Sequence, residues 1–148
     1  MNNEIIFAEM ENLFLALADK TRLRLLNLMR REEVCVCFFT EVLNESQPKI
    51  SRHLAYLRNA NLVTARREGK WMHYRIQMPE DIFAAQIIQY TLNWLKSQEK
   101  MQKDYDILIK VCYSTEVPIT IARAPKPEVS VKTNMTREHR EELDTFLL

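Results

Sequence analysis

One glycine, Gly69, in a chain of 148 residues is the feature that most restricts the fold. Glycine takes positive φ without steric cost, so a chain with only one has little use for tight turns. Helices joined by short polar connections suit it better. The exception marks the place where a tight turn is unavoidable. Residues 62–67 and 71–77 alternate in polarity, and Glu68-Gly69 between them carries the two-residue hairpin signature, with glycine supplying the positive φ.

Elsewhere the apolar residues recur at helical spacing. Ile6, Met10, Leu13 and Leu17 predict a first helix over 4–18. Asp19 can cap the next, whose Leu23, Leu26 and Met29, with Leu25 and Leu28 beside them, give a broad buried face up to Arg31. A short third helix is expected over 35–44, anchored by Phe38, Phe39, Val42 and Leu43 and closed by Asn44 and Glu45. Ser46 then reads as an N-cap, with Pro48 in the first helical turn, where its missing N–H costs nothing. Ile50, Leu54 and Leu57 share the inner face of this fourth helix. Gln47, Lys49, Ser51, Arg52 and the partly turned His53 point outward, and the helix ends at 59–61.

From Pro79 to about Leu108 the pattern predicts one long helix, with Ala85, Ile88, Leu92 and Leu95 in a stripe and Trp94 near it. It is too apolar to stand alone, and with the first helix it makes a natural surface for a second copy of the chain. Beyond Ile109, Pro118, Pro125 and Pro127 interrupt a β-branched segment, and Thr136 to Leu148 has the pattern of a short helix. The expected organisation is one domain over 1–108 that dimerises, followed by a partly ordered tail over 109–148.

Charge is unevenly placed. The net value of +1 conceals a segment, 46–76, with seven basic residues against the single acidic Glu68; the remaining 14 basic residues face 19 acidic ones. A basic face on an otherwise acidic chain is the electrostatic footprint of a nucleic-acid site. The start, MNNEIIFAEMENLF, is acidic where a secretory leader needs positive charge, and no apolar run reaches the roughly 18 residues that span a bilayer. A cytoplasmic protein with no membrane partner follows. There thiols stay reduced, and the three cysteines read as ligands, redox groups or core residues rather than a disulfide framework.

Helix, short turn, helix and basic hairpin together form a winged helix-turn-helix, a mainly α fold with a small β wing. In that architecture the second helix enters the major groove and the wing carries positive charge to the flanking backbone. Gln47, Ser51 and Arg52 offer the donors and acceptors that base edges require; Lys49, Arg66, Arg67 and Lys70 suit phosphates, and His53 faces DNA or the turn. The cap, the proline, the basic outer face and the one-glycine hairpin point to double-stranded DNA as a set; singly, each is an ordinary solvated residue.

The segment SQPKISRHLAYLRNANLVTARREGKWMHYRI resembles the recognition helix and wing of the ArsR family of metal-responsive repressors, and LADKTRLRLL at 17–26 resembles that family's second helix. The resemblance runs from about Ile5 to Leu108. It implies a homodimer, with the first and last long helices at its interface, that represses an operon until a toxic metal or metalloid binds.

The arsenic-responsive members resemble this chain at Val34-Cys35-Val36-Cys37. Thiolates are soft ligands matched to thiophilic ions, and a helix N-terminus with Arg30 and Arg31 nearby favours the thiolate form. The inducer implied is arsenite or antimonite, with no organic cofactor. The plainer reading of both cysteines is buried packing. Side chains at i and i+2 of a regular helix point about 200° apart, so joint chelation by a helical Cys35 and Cys37 would have to distort the helix. Relatives of this kind often carry a third cysteine three residues after the second, where this chain has Thr40. Cys112, in an apolar run, is chiefly expected to pack, with a lesser role as a third ligand.

A zinc pair across the last helices is not supported, since 81–105 has no histidine, and His53, His73 and His139 are not at ligand spacing. The alternative that keeps the DNA site is a redox sensor in which the two thiols are oxidised rather than metallated. An enzyme is disfavoured, because the chain lacks a C-x-x-C, a phosphate loop and an acid–base constellation.

Overall fold

Side-chain caps set the helices that carry the site. In the computed structural model of the protein, which describes residues 3–113 and 124–126, the chain runs α1 (Asn3–Leu17), α2 (Lys20–Leu28), β1 (Val34–Cys35), α3 (Val36–Leu43), α4 (Gln47–Asn59), β2 (Val63–Glu68), β3 (Trp71–Ile76), α5 (Ile82–Ser97) and α6 (Glu99–Tyr113). Asp19 caps α2 by accepting from the Arg22 N–H at 3.0 Å. Ser46 caps α4 by accepting from the Lys49 N–H, with Pro48 in the first turn. Asn44 ends α3 in the left-handed region at φ 52°, a conformation that a short polar side chain tolerates. The αα turn between α3 and α4 is therefore built from Asn44, Glu45 and Ser46.

The strands form one antiparallel sheet in the order β1-β3-β2. The hairpin closes on the Glu68–Trp71 pair, which places Gly69 and Lys70 at the tip. This is one residue later than Glu68-Gly69. Gly69 does hold the positive φ, +57°. The short β1, which has no periodicity of its own to betray it, pairs Val34 with Tyr74 and Cys35 with His73.

Further expectations shift. The third helix begins at Val36 rather than residue 35, because Cys35 is extended (φ −70°, ψ 139°) and spent on the sheet. The second helix stops at Leu28, short of Arg31. The single helix expected from Pro79 to about Leu108 is two, broken at Gln98, whose backbone is extended at φ −85° and ψ 130°. The Ser97 hydroxyl donates back to the Trp94 carbonyl at 2.6 Å, competing with the helix at that point. The inner stripe of α5 is Ala84, Ile88, Leu92 and Leu95, with Ala84 in the place expected of Ala85. After the break α6 turns back across α2 and α3 and continues past Leu108 to Tyr113. The expected terminal helix over 136–148, with His139, lies outside the described residues.

Leu25, Leu26, Phe38, Phe39, Ile50, Leu54 and Leu57 are all at most 1% exposed and form one core beneath α4. Each such side chain contributes about 1.5–3 kcal/mol by burial, so α4 is held by its inner face and its outer face is left for other uses. A polar seam joins α2 to α6. Arg24 makes a two-point ion pair with Asp104 at 2.7 and 3.0 Å. The fully buried Asn27 donates to the Met101 carbonyl at 2.8 Å and accepts from Arg30 at 2.7 Å. No helix among the described residues is long and apolar enough to cross a membrane.

Candidate functional site

Cys35 closes β1 and Cys37 stands in the first turn of α3, so a change of backbone direction separates them. The two sulfurs lie 3.4 Å apart, and the Cys37 thiol donates to Cys35 Sγ. The opposed geometry expected of two positions in one regular helix does not arise. A single soft ion can bridge the pair with the helix intact. Cys35 is fully buried and Cys37 half-buried, which leaves one edge of the pair approachable.

The Cys37 hydrogen bond is the main reason the Cys35 thiol is pulled down to about 7; burial opposes it, and the backbone N–H groups of Cys37 and Val36 at the start of α3 assist. Cys37 is shifted the other way by the same bond and by burial. Near neutral pH Cys35 is thus the thiol that ionises, while Cys37 keeps its proton and donates it in the hydrogen bond to Cys35. Arg30 and Arg31 do not assist as expected: their guanidinium groups stack 4.1 and 5.3 Å from the Tyr105 ring centre. Cys112 is buried in α6 and burial pushes its thiol up to about 12. Thr40, where a third thiol would stand, donates its hydroxyl to the Cys37 carbonyl at 2.8 Å. Among the described residues no three donors of the Cys, His, Asp or Glu type already surround one point.

A titration follows from this arrangement. The ultraviolet absorbance of thiolate in the wild-type chain is expected to rise with a midpoint of about 7. In Cys37→Ala the midpoint moves up toward an ordinary thiol, roughly 8.5, because the donor to Cys35 is gone. An unmoved midpoint would assign the low value to the helix terminus alone.

On α4, Gln47, Ser51 and Arg52 are exposed on the outer face. Lys49 is held by Glu45 one turn earlier at 2.7 Å. His53 turns toward α2, its Nδ1 3.5 Å from Arg22 and 3.7 Å from Asp19, and Arg22 also stacks 4.1 Å over Tyr56. His53 therefore seats α4 on α2. On the wing, Arg67 bonds the Gly69 carbonyl at 3.2 Å and Lys70 lies 4.9 Å from the Trp71 ring centre, both at the exposed tip. Arg66 is exposed but held by Glu33 at 2.6 and 3.0 Å. Sequence reasoning missed Glu33 and the buried His73 beside it. Its mark in the sequence was a histidine in mid-strand, alternating with Trp71 and the exposed Arg75, a pattern that does not announce burial.

The family model described as "Bacterial regulatory protein, arsR family" matches residues 19–65, from the cap of α2 into the first wing strand. The arsenical resistance operon repressor of Escherichia coli K12 is 47% identical over 91 residues, which is 61% of this chain and 76% of that one. The arsenic resistance transcriptional regulator ArsR2 of Pseudomonas putida is 38% identical over 100 residues, 64% of this chain and 87% of that one. Among solved structures, HlyU of Vibrio cholerae superposes with a TM-score of 0.54 at 28% identity, covering 66% of this chain and all of that one. A homodimeric winged helix-turn-helix domain from Mycobacterium bovis gives 0.53 at 23% identity, covering 68% and 93%, a likeness of fold. With that fold, and at such identity over three quarters of a relative's length, the chain belongs to the arsR family of bacterial regulatory proteins.

Proposed function

We propose that the chain is a cytoplasmic, homodimeric repressor of a metalloid-resistance operon, released from operator DNA when arsenite or antimonite binds Cys35 and Cys37. The observation that carries this reading is the 3.4 Å approach of the two sulfurs at the corner that leads into α3 and the DNA-reading α4. The relatives named as arsenical and arsenic resistance regulators support the choice of inducer. All three described cysteines are free, as the chemistry requires.

Trivalent arsenic exchanges oxygen for sulfur without redox change. Each thiol forms an As–S bond and its proton leaves with a hydroxide as water, so two thiols release two waters and one hydroxide stays on arsenic. A thiolate at Cys35 is the better nucleophile for the first exchange, and Cys37, already adjacent, makes the second intramolecular.

For the dimer, α1 and α5 offer the surface. Phe7, Phe14, Phe83, Tyr90 and Trp94 are between 53 and 78% exposed, an aromatic display that a lone domain does not ordinarily keep in water. Two recognition helices in a symmetric pair read an imperfect palindrome with half-sites about one helical turn apart. Arg52→Ala is expected to weaken operator binding and relax base preference, a loss of about 1–3 kcal/mol. Lys70→Ala should weaken all DNA alike and reduce the salt slope by about one. Equal losses on operator and random DNA for Arg52→Ala would move that residue to the phosphate class.

The whole reading is tested by an electrophoretic shift on promoter DNA titrated with arsenite, antimonite, cadmium and zinc. Release by the first two supports it; a complex indifferent to all four contradicts it. Mass spectrometry of the released protein separates metalloid from oxidation: retained arsenic supports the proposal, and a two-proton loss without arsenic favours a redox sensor.

A further inference from the structure

Three side chains lie in one row across the sheet. Cys35 on β1 is the cross-strand partner of His73 on β3, and His73 is the partner of Arg66 on β2. Directly opposed residues of neighbouring antiparallel strands share a face and stand close enough to interact. One end of the row is a thiol of the pair; the other is an arginine expected on the DNA backbone. His73 is the only residue between them.

Its setting is unusual for a wing histidine. The side chain is 5% exposed, with Nε2 2.9 Å from Glu68 and Nδ1 3.9 Å from Glu33. The Nε2 contact lacks the alignment of a hydrogen bond, and the atom is buried without one. The same two carboxylates hold Arg66, Glu33 at 2.6 Å and Glu68 at 3.5 Å. Arg66 must exchange these carboxylates for phosphate when the wing meets DNA. A buried nitrogen short of a hydrogen bond is costly, so a small displacement of the ring has alternatives of similar energy to fall into.

We propose that His73 is the positioning residue through which the wing responds to the thiol pair, by setting how firmly Glu33 and Glu68 hold Arg66. Metalloid on Cys35 adds atoms where the structure has none to spare, against the His73 face of β1. The ring shifts so that the two carboxylates keep their hold on Arg66, and the wing forgoes a phosphate contact. This inference rests on Cys35 being a metalloid ligand, and it needs no distortion of α3.

The test uses the full-length chain with His73→Leu, and with Glu68→Gln as a surface substitution that does not threaten the fold. Arsenite affinity off DNA is measured by calorimetry, and operator affinity is measured with and without arsenite. Both variants should bind arsenite as the wild type does. Arsenite should weaken operator binding of the wild type within the range of about 5- to 150-fold usual for coupled sites, and of either variant by less than about threefold. Variants released as fully as the wild type would overturn the role of His73 and leave the thiol site standing. A wild type that binds arsenite without release would overturn the repressor reading, and this inference with it. If His73→Leu fails to fold, Glu68→Gln alone decides, since its side chain is half in solvent.

Discussion

Cys37→Ser is expected to keep operator binding and lose release by arsenite, and Cys35→Ser to do the same. On the proposed function, two thiols 3.4 Å apart would act as one chelate. Removing either turns an intramolecular second bond into none, and the gain from linking two such bonds is on the order of 10²–10⁴-fold in affinity. Neither serine disturbs the reading helix, since α4 is held through Ile50, Leu54 and Leu57 and capped by its own Ser46. Cys112→Ala should respond almost as the wild type. Its thiol is buried and pushed up to about 12, so a thiolate there is scarce at neutral pH. Phenylarsine oxide, which has two exchangeable positions on arsenic, provides the control: it should release the wild type and Cys112→Ala equally. Loss of the arsenite response in Cys112→Ala with the phenylarsine response retained would make Cys112 a third ligand.

The second large effect is on stability. Asp104→Ala should cost about 3 kcal/mol, because it strands the Arg24 guanidinium, only 18% exposed, without its carboxylate. For a chain of this size that corresponds to a fall of roughly 6–12 °C in Tm, compared at equal protein concentration because dimerisation contributes. The double replacement Arg24→Met with Asp104→Leu should recover most of the loss, since two well-packed apolar side chains need no desolvation. Calorimetric or circular-dichroism melts check both. A loss under about 1 kcal/mol would place the pair with ordinary surface bridges. The consequence reaches the site, because α6 is fastened to α2 at this pair and packs on α3, the helix that begins at the thiols.

Local signals were legible in the sequence. Asp19, Ser46 and Pro48 mark helix starts by chemistry that acts within three residues, and each cap is where the residues place it. Gly69 carries its positive φ for a reason equally local. The inner face of α4 follows from spacing alone. What the sequence hid depends on partners far along the chain. Cys35 leaves the helix because it pairs with His73, 38 positions later, and that one residue of register brings two otherwise opposed thiols to 3.4 Å from each other. The break at Gln98 has only a faint local mark, Ser97 followed by an acidic first turn; it is fixed by the packing of α6 back onto α2. The segment charge suggested seven free cations, yet Arg66 and Lys49 are already held by carboxylates, Glu33 and Glu45. Glu33 lies outside the basic segment, so no count within it reveals the pairing.

Metalloid and operator, on this account, compete through one element, and linkage makes the competition reciprocal. Each weakening by a factor of ten corresponds to about 1.4 kcal/mol of coupling. The most direct measurement is the arsenite affinity of the dimer alone and of the dimer saturated with operator, at one salt concentration. The account predicts weaker arsenite binding on the operator complex, by the same factor by which arsenite weakens operator binding. Equal arsenite affinity in the two states would contradict it.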